Sequence, residues 1–301
     1  MQRSLFTLLM LLALAAGLRA QEPLMTGSKV VVSSYVPETG SAFDRTGRQH
    51  NQALETIGAA TGWRKLSGEE LKAQLYPLMT ADYPAKADFD RLYTRNEQEF
   101  AKYETAVKQG TEPAFWQSLG ADPASMAFVL RLKALIRAAA ASANDSVVRA
   151  IRLLQREIAA SAIPQAQKDA LMSGAAVGCY SLDYWTQKFS DAQFLGQLDA
   201  EAVRVHHGTT IFFPPPPSIK VIKGSGGPSV PDLALYYKAA AKTNGQLVAD
   251  VAISDVIGGL IGGFLGSAIP GAGTVAGALQ GAVRGSGGAV IKILVTTPVK
   301  N

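Results

Sequence analysis

Few residues in this chain of 301 have the types and spacing that catalysis requires. Cys179, His50 and Asn51 are the residue types of a thiol hydrolase, but no local motif brings them together. Cys179 stands among small apolar residues in AAVGCYSL, which favours a buried side chain over a nucleophile. For His50 and Asn51, a position on a polar helix surface or in a buried cap is the simpler interpretation.

Metal and cofactor motifs are also missing from the sequence. His206 and His207 are adjacent, and two adjacent imidazoles rarely bind one metal without a third ligand. The sequence contains no HExxH, paired CxxC or GxSxG motif. GAGTVAG at 271–277 resembles a dinucleotide loop, but SAIP precedes it where a strand is needed, and no acidic residue follows. We therefore expect no catalytic residues, no metal and no cofactor.

Glycines near the C-terminus recur at intervals of four residues, which is the spacing that places them on one face of a helix. They form three series: Gly258, Gly262 and Gly266; Gly259 and Gly263; and Gly273, Gly277, Gly281 and Gly285. Each glycine inside a helix costs about 1 kcal/mol relative to alanine, so close packing has to offset that cost. Faces made of small residues allow such an approach of two backbones. We predict a hairpin of two helices, over 247–268 and 273–293, joined by IPGAG.

The environment of this hairpin has two interpretations. Residues 256–283 contain no charged side chain, and as one unit they are long enough to cross a bilayer. Each arm alone is too short, and glycine and alanine add little hydrophobic transfer energy. We expect membrane association or self-association through the glycine faces. The alternative is a hairpin packed inside the soluble core of its own chain.

The rest of the chain predicts a mostly α fold, with a bundle-like helical domain preceding the hairpin. Ser67 and Glu70 have the spacing of a capping box, and Asp122 with Pro123 suits another helix start. The proposed segments are a signal peptide (1–20), an extended N-terminal segment (21–43) with KVVVSSYV as a possible strand, an α-helical domain (44–204), a linker rich in proline and glycine (205–231) and a glycine-zipper hairpin (232–301).

The leader MQRSLFTLLMLLALAAGLRAQ predicts export. It has a basic residue at Arg3, an apolar stretch too short to span a bilayer, and a small residue, Ala20, at the expected cleavage site. No cysteine lies there, so we expect a periplasmic, cell-surface or secreted protein that is not a lipoprotein. The net charge of +5 includes Arg3 and Arg19 of the leader, and no basic stripe is interleaved with aromatic residues. We therefore expect no nucleic-acid partner.

Three stretches carry a resemblance to a known group of proteins. GRQHNQALETI at 47–57, QKDALMSGAAVGCYSLDYW at 167–185 and DVAISDVIGGLIGGFLGSAIPGAGTVAGALQGAV at 250–283 resemble exported Bacteroidota proteins of unknown function with a bacteriocin-like, glycine-rich C-terminus. Many members of that group look like lipoproteins, whereas this leader lacks the lipid-accepting cysteine. The group has no established chemistry, so the resemblance implies no catalytic residues.

The sequence thus predicts an exported, non-enzymatic protein. In the first interpretation its glycine-zipper hairpin mediates membrane association or self-assembly. In the second the protein is a soluble periplasmic or secreted interaction module, with a protein partner and with the hairpin in its own core. A third, an export-linked hydrolase, would require His50 and Cys179 to lie together in a cleft.

Overall fold

A computed structural model describes residues 41–83, 85–140, 144–208, 243–268 and 273–296, and this part of the chain is 86% helical without strands. The predicted mostly α, bundle-like fold is confirmed. The helices are α1 (Ala42–Thr61), α2 (Gly68–Leu75), α3 (Lys86–Gln109), α4 (Glu112–Ser118), α5 (Pro123–Ala138), α6 (Asn144–Ala160), α7 (Gln165–Ser190), α8 (Ala192–Gly208), α9 (Asn244–Ala268) and α10 (Thr274–Thr296), with a 3₁₀ turn over Tyr76–Leu78. The leader, the possible strand in KVVVSSYV and the four-proline run lie outside the described residues.

Local side-chain chemistry sets several helix boundaries. The capping box is confirmed, because the Ser67 hydroxyl accepts a hydrogen bond from the Glu70 amide while the Glu70 carboxylate accepts one from the Ser67 amide. Asp122 caps α5 in the predicted way, with its Oδ1 2.8 Å from the Ser125 nitrogen. Gly62 ends α1 in the left-handed conformation that glycine adopts without steric cost.

The core is organised around α7, which buries residues on all its faces. α1 and α6 pack on it, and so do both arms of the hairpin formed by α9 and α10. α9 also contacts α3 and α5, and α10 contacts α1 and α8. The described residues from Ser41 onward belong to one compact unit. α9 and α10, from the segment predicted as a separate hairpin over 232–301, therefore pack in the same core as the described helices of 44–204.

Some boundaries differ from those predicted. α8 continues to Gly208, past the expected start of the linker at 205. The short helix α4 was not predicted, because seven residues with Pro113 in the first turn carry little periodic signal. It is held in place by burial of Phe115 and Trp116. α9 begins three residues earlier than expected, and α10 begins one residue later and ends three residues later than expected.

Candidate functional site

The two arms of the hairpin approach until their backbones touch. A Cβ atom added at Gly262 would lie 2.0 Å from the carbonyl oxygen of Gly277, and one added at Gly281 would lie 2.0 Å from that of Gly258. Gly266 faces Gly273 in the same way, at 2.4 Å from its carbonyl oxygen. No side chain fits between these backbones, so any substitution at these positions has to push the two helices apart.

The remaining glycines of the predicted set have other surroundings. Gly285 approaches the carbonyl oxygen of Ser254 on the opposite arm, with 2.2 Å left for a Cβ atom. Gly263 faces α7, where an added Cβ would lie 3.1 Å from Ala170, and Gly259 has ordinary contact distances. Gly273 has a φ of 72° at the start of α10 and therefore needs glycine for its conformation. The predicted glycines are thus brought together within one chain.

Two further packing glycines lie in α7 and were missed. A Cβ at Gly174 would lie 2.6 Å from the Leu260 side chain, and one at Gly178 would lie 3.0 Å from Val256. Because these two positions carry no side chain, Leu260 and Val256 of α9 can pack directly against the backbone of α7. Their four-residue spacing in SGAAVGC is the same signal that identified the hairpin glycines.

A buried polar cluster joins the hairpin to α1 and α7. We define the Asp255 cluster as Asp255, Ser286, His50, Asn51, Ser181 and Trp185. Asp255 is fully buried, and its Oδ2 accepts hydrogen bonds from the Ser181 hydroxyl and, at 2.8 Å, from Trp185 Nε1. Its Oδ1 lies 2.5 Å from Ser286 Oγ on the other arm. One carboxyl group therefore contacts both α7 and α10.

His50 connects α1 to the same group. Its Nε2 lies 3.0 Å from Ser286 Oγ and 3.7 Å from Asp255 Oδ2. Its Nδ1 lies 3.0 Å from Asn51 Oδ1, and Asn51 Nδ2 donates to the Tyr180 carbonyl oxygen at 2.9 Å. His50 is fully buried and so does not lie on a polar helix surface. It does not form the expected buried cap either, because it lies within α1 and its ring nitrogens contact the side chains of Asn51 and Ser286.

The hydrogen-bond pattern determines how many protons the cluster holds. Because Asn51 Nδ2 donates to Tyr180, Asn51 Oδ1 faces His50 and can only accept, so His50 Nδ1 carries a hydrogen. The Ser286 hydroxyl has one hydrogen and three partners: His50 Nε2 at 3.0 Å, Asp255 Oδ1 at 2.5 Å and, at the longer distance of 3.3 Å, the Ala282 carbonyl oxygen. When the hydroxyl donates along one of the two short contacts, the other short contact needs a hydrogen from His50 or Asp255. Asp255 is therefore protonated beside neutral His50, or ionised beside a charged imidazolium, and in both cases the pair has no net charge.

Burial favours the first of these arrangements. It raises the pKa of Asp255, and the opposing effects of His50 and of the hydrogen bonds from Ser181, Ser286 and Trp185 do not cancel that rise. Burial also lowers the pKa of His50, against the opposing effects of Asp255 and Asn51. Both shifts stabilise uncharged forms, so we assign a neutral carboxyl group to Asp255 and a neutral ring to His50.

A second buried polar contact ties α10 to α3. Gln280 Nε2 donates to the Phe89 carbonyl oxygen at 3.1 Å, and Gln280 Oε1 accepts from Asn96 Nδ2 at 2.9 Å. Gln280 and Asn96 are both buried. Sequence reasoning missed Gln280, Asp255 and Ser286, although Gln280 is a lone polar residue in an apolar run and so needs a partner once buried.

The Asp255 cluster contains the residue types of a serine hydrolase without its geometry. In such a hydrolase the carboxylate holds His Nδ1, whereas here Asp255 contacts the serine and Asn51 takes Nδ1. Ser286 also lies inside α10, where backbone amides are used within the helix and give no oxyanion donors. Burial raises the pKa of the Cys179 thiol to about 12, so it stays protonated. The cluster therefore lacks the arrangement of a Ser–His–Asp triad.

Metal ligation has no support within the described residues, where no group of three or more His, Cys, Asp or Glu side chains could hold an ion. His206 and His207 belong to α8, and their side chains lie outside that part of the structure.

A cavity of about 60 Å³ adjoins the Asp255 cluster. Ser286 and Trp185 belong to both. The other lining residues come from α1, the connection after it, α2 and α10: Leu54, Ile57, Gly58, Thr61, Trp63, Arg64, Lys65, Leu66, Leu71, Val283, Gly287 and Val290. The wall is mainly apolar, which is the usual composition of a small-ligand site.

No protein-family model, curated protein or solved structure matches this chain. The resemblance to exported Bacteroidota proteins stays a prediction, and the function has to be inferred from the geometry above.

Proposed function

We propose that this protein is an exported, non-enzymatic interaction module whose glycine-rich hairpin forms part of its own soluble core. This is the second of the two interpretations that the sequence leaves open. The observation that carries it is the mutual contact of Gly258 with Gly281 and of Gly262 with Gly277 inside one chain. Faces that are already filled by each other have no room for a second hairpin or for lipid.

The polar contacts of the hairpin support the same proposal. Asp255 and Gln280 lie in the arms and bond to α7 and α3. If the hairpin left the bundle, these bonds would be lost and Asp255 would keep only Ser286 of the other arm. An unpaired carboxyl or amide group in hydrocarbon costs several kcal/mol. These contacts favour a hairpin that stays in the protein.

Membrane association keeps one observation in its favour. α9 is 25 residues long and contains a window of 18 residues with a mean hydropathy of 1.7, which is enough to cross a bilayer by length and composition. The expectation that each arm alone is too short is therefore wrong for α9. In the structure, however, 78% of its most apolar window is buried by other parts of the protein. The core helix of a soluble protein has the same properties, so this observation does not separate the two functions.

Flotation with lipid vesicles tests the proposal. The mature chain predicted from the leader, residues 21–301, is mixed with vesicles of phosphatidylcholine and phosphatidylglycerol, beside a version that ends at Asn244. We expect the full chain to stay at the bottom of the gradient. We also expect the shortened chain to lose its cooperative thermal transition by circular dichroism, because it lacks the centre of its core.

The opposite pattern would refute the proposal. If the full chain floats while the shortened chain stays folded and does not float, the hairpin is a membrane element. A Gly262→Leu variant adds a control, since it separates the two arms without removing them. If this variant floats and the natural protein does not, membrane binding is a property of the damaged protein only.

A further inference from the structure

One wall of the cavity beside the Asp255 cluster is formed by Trp63, whose backbone conformation is unfavourable. Trp63 has a φ of 60°, and among the described residues it is the one non-glycine residue with a positive φ. Its ring lies over Gly58, where an added Cβ atom would be 2.2 Å from Trp63 Cε2. Such conformations persist where surrounding contacts enforce them, and they concentrate at functional sites.

Other aromatic rings fix the Trp63 side chain in this place. Its ring packs edge to face on Phe194 at 5.1 Å and on Trp185 at 6.1 Å, and the Lys188 ammonium lies 5.3 Å from its centre. Trp185 is in turn held by its bond to Asp255. The wall of the cavity is therefore preformed in the free protein.

Apart from that of the exposed Lys65, the charges around the cavity are balanced. At its inner end, the Asp255 cluster carries no net charge, as the proton count shows. At its outer end, the Arg64 guanidinium is paired with Glu70 at 2.8 Å. The aliphatic side chains of Leu54, Leu71 and Val290 line the space between. An ionised ligand would gain little binding energy in this cavity, whereas an uncharged apolar ligand would give up only its contacts with water.

The volume limits the size of what can enter. The cavity measures about 60 Å³. An apolar cavity of about 150 Å³ holds a benzene molecule. The space thus suits a short aliphatic group and not a full ring.

We propose that this cavity is a binding site for the aliphatic end of a small, uncharged molecule. The inference rests on the proposed function as an interaction module and gives that module a class of ligand. Apolar contact with the Trp63 and Trp185 rings, and with the aliphatic wall, supplies the affinity. The rest of the ligand, beyond its aliphatic end, lies outside the cavity near Arg64 and Lys65.

The indole N–H groups of the three tryptophans make a direct test by ¹H–¹⁵N NMR. Titration with 1-butanol is expected to shift the signals of Trp63 and Trp185 to saturation, while Trp116, which lies outside the cavity, does not respond. Glycerol has a similar size and no alkyl chain, so we expect no saturable shift with it. Shifts that rise without saturation, or equal shifts at all three signals, would overturn the proposal.

Two neighbouring glycines of α10 give matched variants. Gly287 lines the cavity and meets only the end of the Leu71 side chain, whereas Gly288 is exposed with nothing within 4 Å. We expect Gly287→Leu to weaken butanol binding at least about tenfold and Gly288→Leu to leave it unchanged. Should Gly287→Leu not fold, Gly287→Ala gives a smaller loss in the same direction. Equal binding by the Gly287 and Gly288 variants would sink the assignment, whatever the outcome of vesicle flotation.

Discussion

The imidazole of His50 and the carboxyl group of Asp255 lie 3.7 Å apart in the interior, with the Ser286 hydroxyl hydrogen-bonded to both. α1 and the two arms of the hairpin meet at this point. The three groups share their protons so that none carries an unbalanced charge. This arrangement makes the stability of the hairpin depend on protonation.

Acid should destabilise the protein through His50. Burial lowers its pKa below the ordinary value of 6.5, so the unfolded chain takes up a proton at a higher pH than the folded protein does. The contribution of His50 to the free energy of unfolding should therefore fall as pH drops below about 6.5, down to the lowered pKa of the folded state. The raised pKa of Asp255 contributes with the opposite sign, because the folded protein holds a proton that the unfolded carboxyl group has released. Urea denaturation at a series of pH values measures this. The free energy of unfolding of the natural protein minus that of His50→Gln isolates the His50 contribution and should fall as pH drops below about 6.5, whereas a difference that does not change with pH would contradict the prediction.

The protonation of Asp255 predicts different effects for two substitutions. Asparagine can accept from Ser181 and Trp185 and donate to Ser286, as a protonated carboxyl group does. We expect Asp255→Asn to change the free energy of unfolding at neutral pH by less than about 1 kcal/mol. Asp255→Ala leaves these buried groups without partners and should cost about 3 kcal/mol or more. Similar losses in both variants by urea denaturation would show that Asp255 is ionised.

The hairpin glycines should tolerate no added methyl group. Gly262→Ala places a carbon against the Gly277 carbonyl oxygen, and separating the helices should cost about 1–3 kcal/mol. Gly196 of α8 is the matched control, since it is helical and exposed with nothing within 4 Å. Gly196→Ala should raise stability by up to about 1 kcal/mol. Thermal denaturation of both variants checks this, and equal effects would mean that the arms do not touch.

The contact between Asn96 and Gln280 should have a measurable coupling energy. Both side chains are buried, and their hydrogen bond joins α3 to α10. A double-mutant cycle with Asn96→Ala and Gln280→Ala should give a coupling of about 0.5–3 kcal/mol. Additive losses would show that α10 is not held to α3 through this pair.

Local signals in the sequence predict much of the fold. The caps at Ser67 and Asp122 predict where two helices begin, and the four-residue spacing of the glycines predicts the hairpin. Both signals can be read from the sequence because they act within a few residues. The Asp255 cluster could not be predicted, since its members belong to four helices and meet only when α1, α7, α9 and α10 pack together. His50 is a polar residue in the α1 sequence and could have suggested a buried polar contact. No residue near it in the sequence identifies Ser286 as its partner. Trp63 follows the Gly62 cap, where a bulky residue with positive φ is unfavourable and therefore unexpected.

The position of the hairpin along the chain determines when the bundle can fold. α7 receives α9 and α10 on one side, and both are made after all the helices that surround them. Until they emerge, α1 to α8 lack the layer that buries much of their apolar surface. A chain whose buried hairpin is synthesised last cannot complete its core during most of its synthesis. That delay suits the predicted export, because the polypeptide can reach its destination before it closes around its own C-terminal helices.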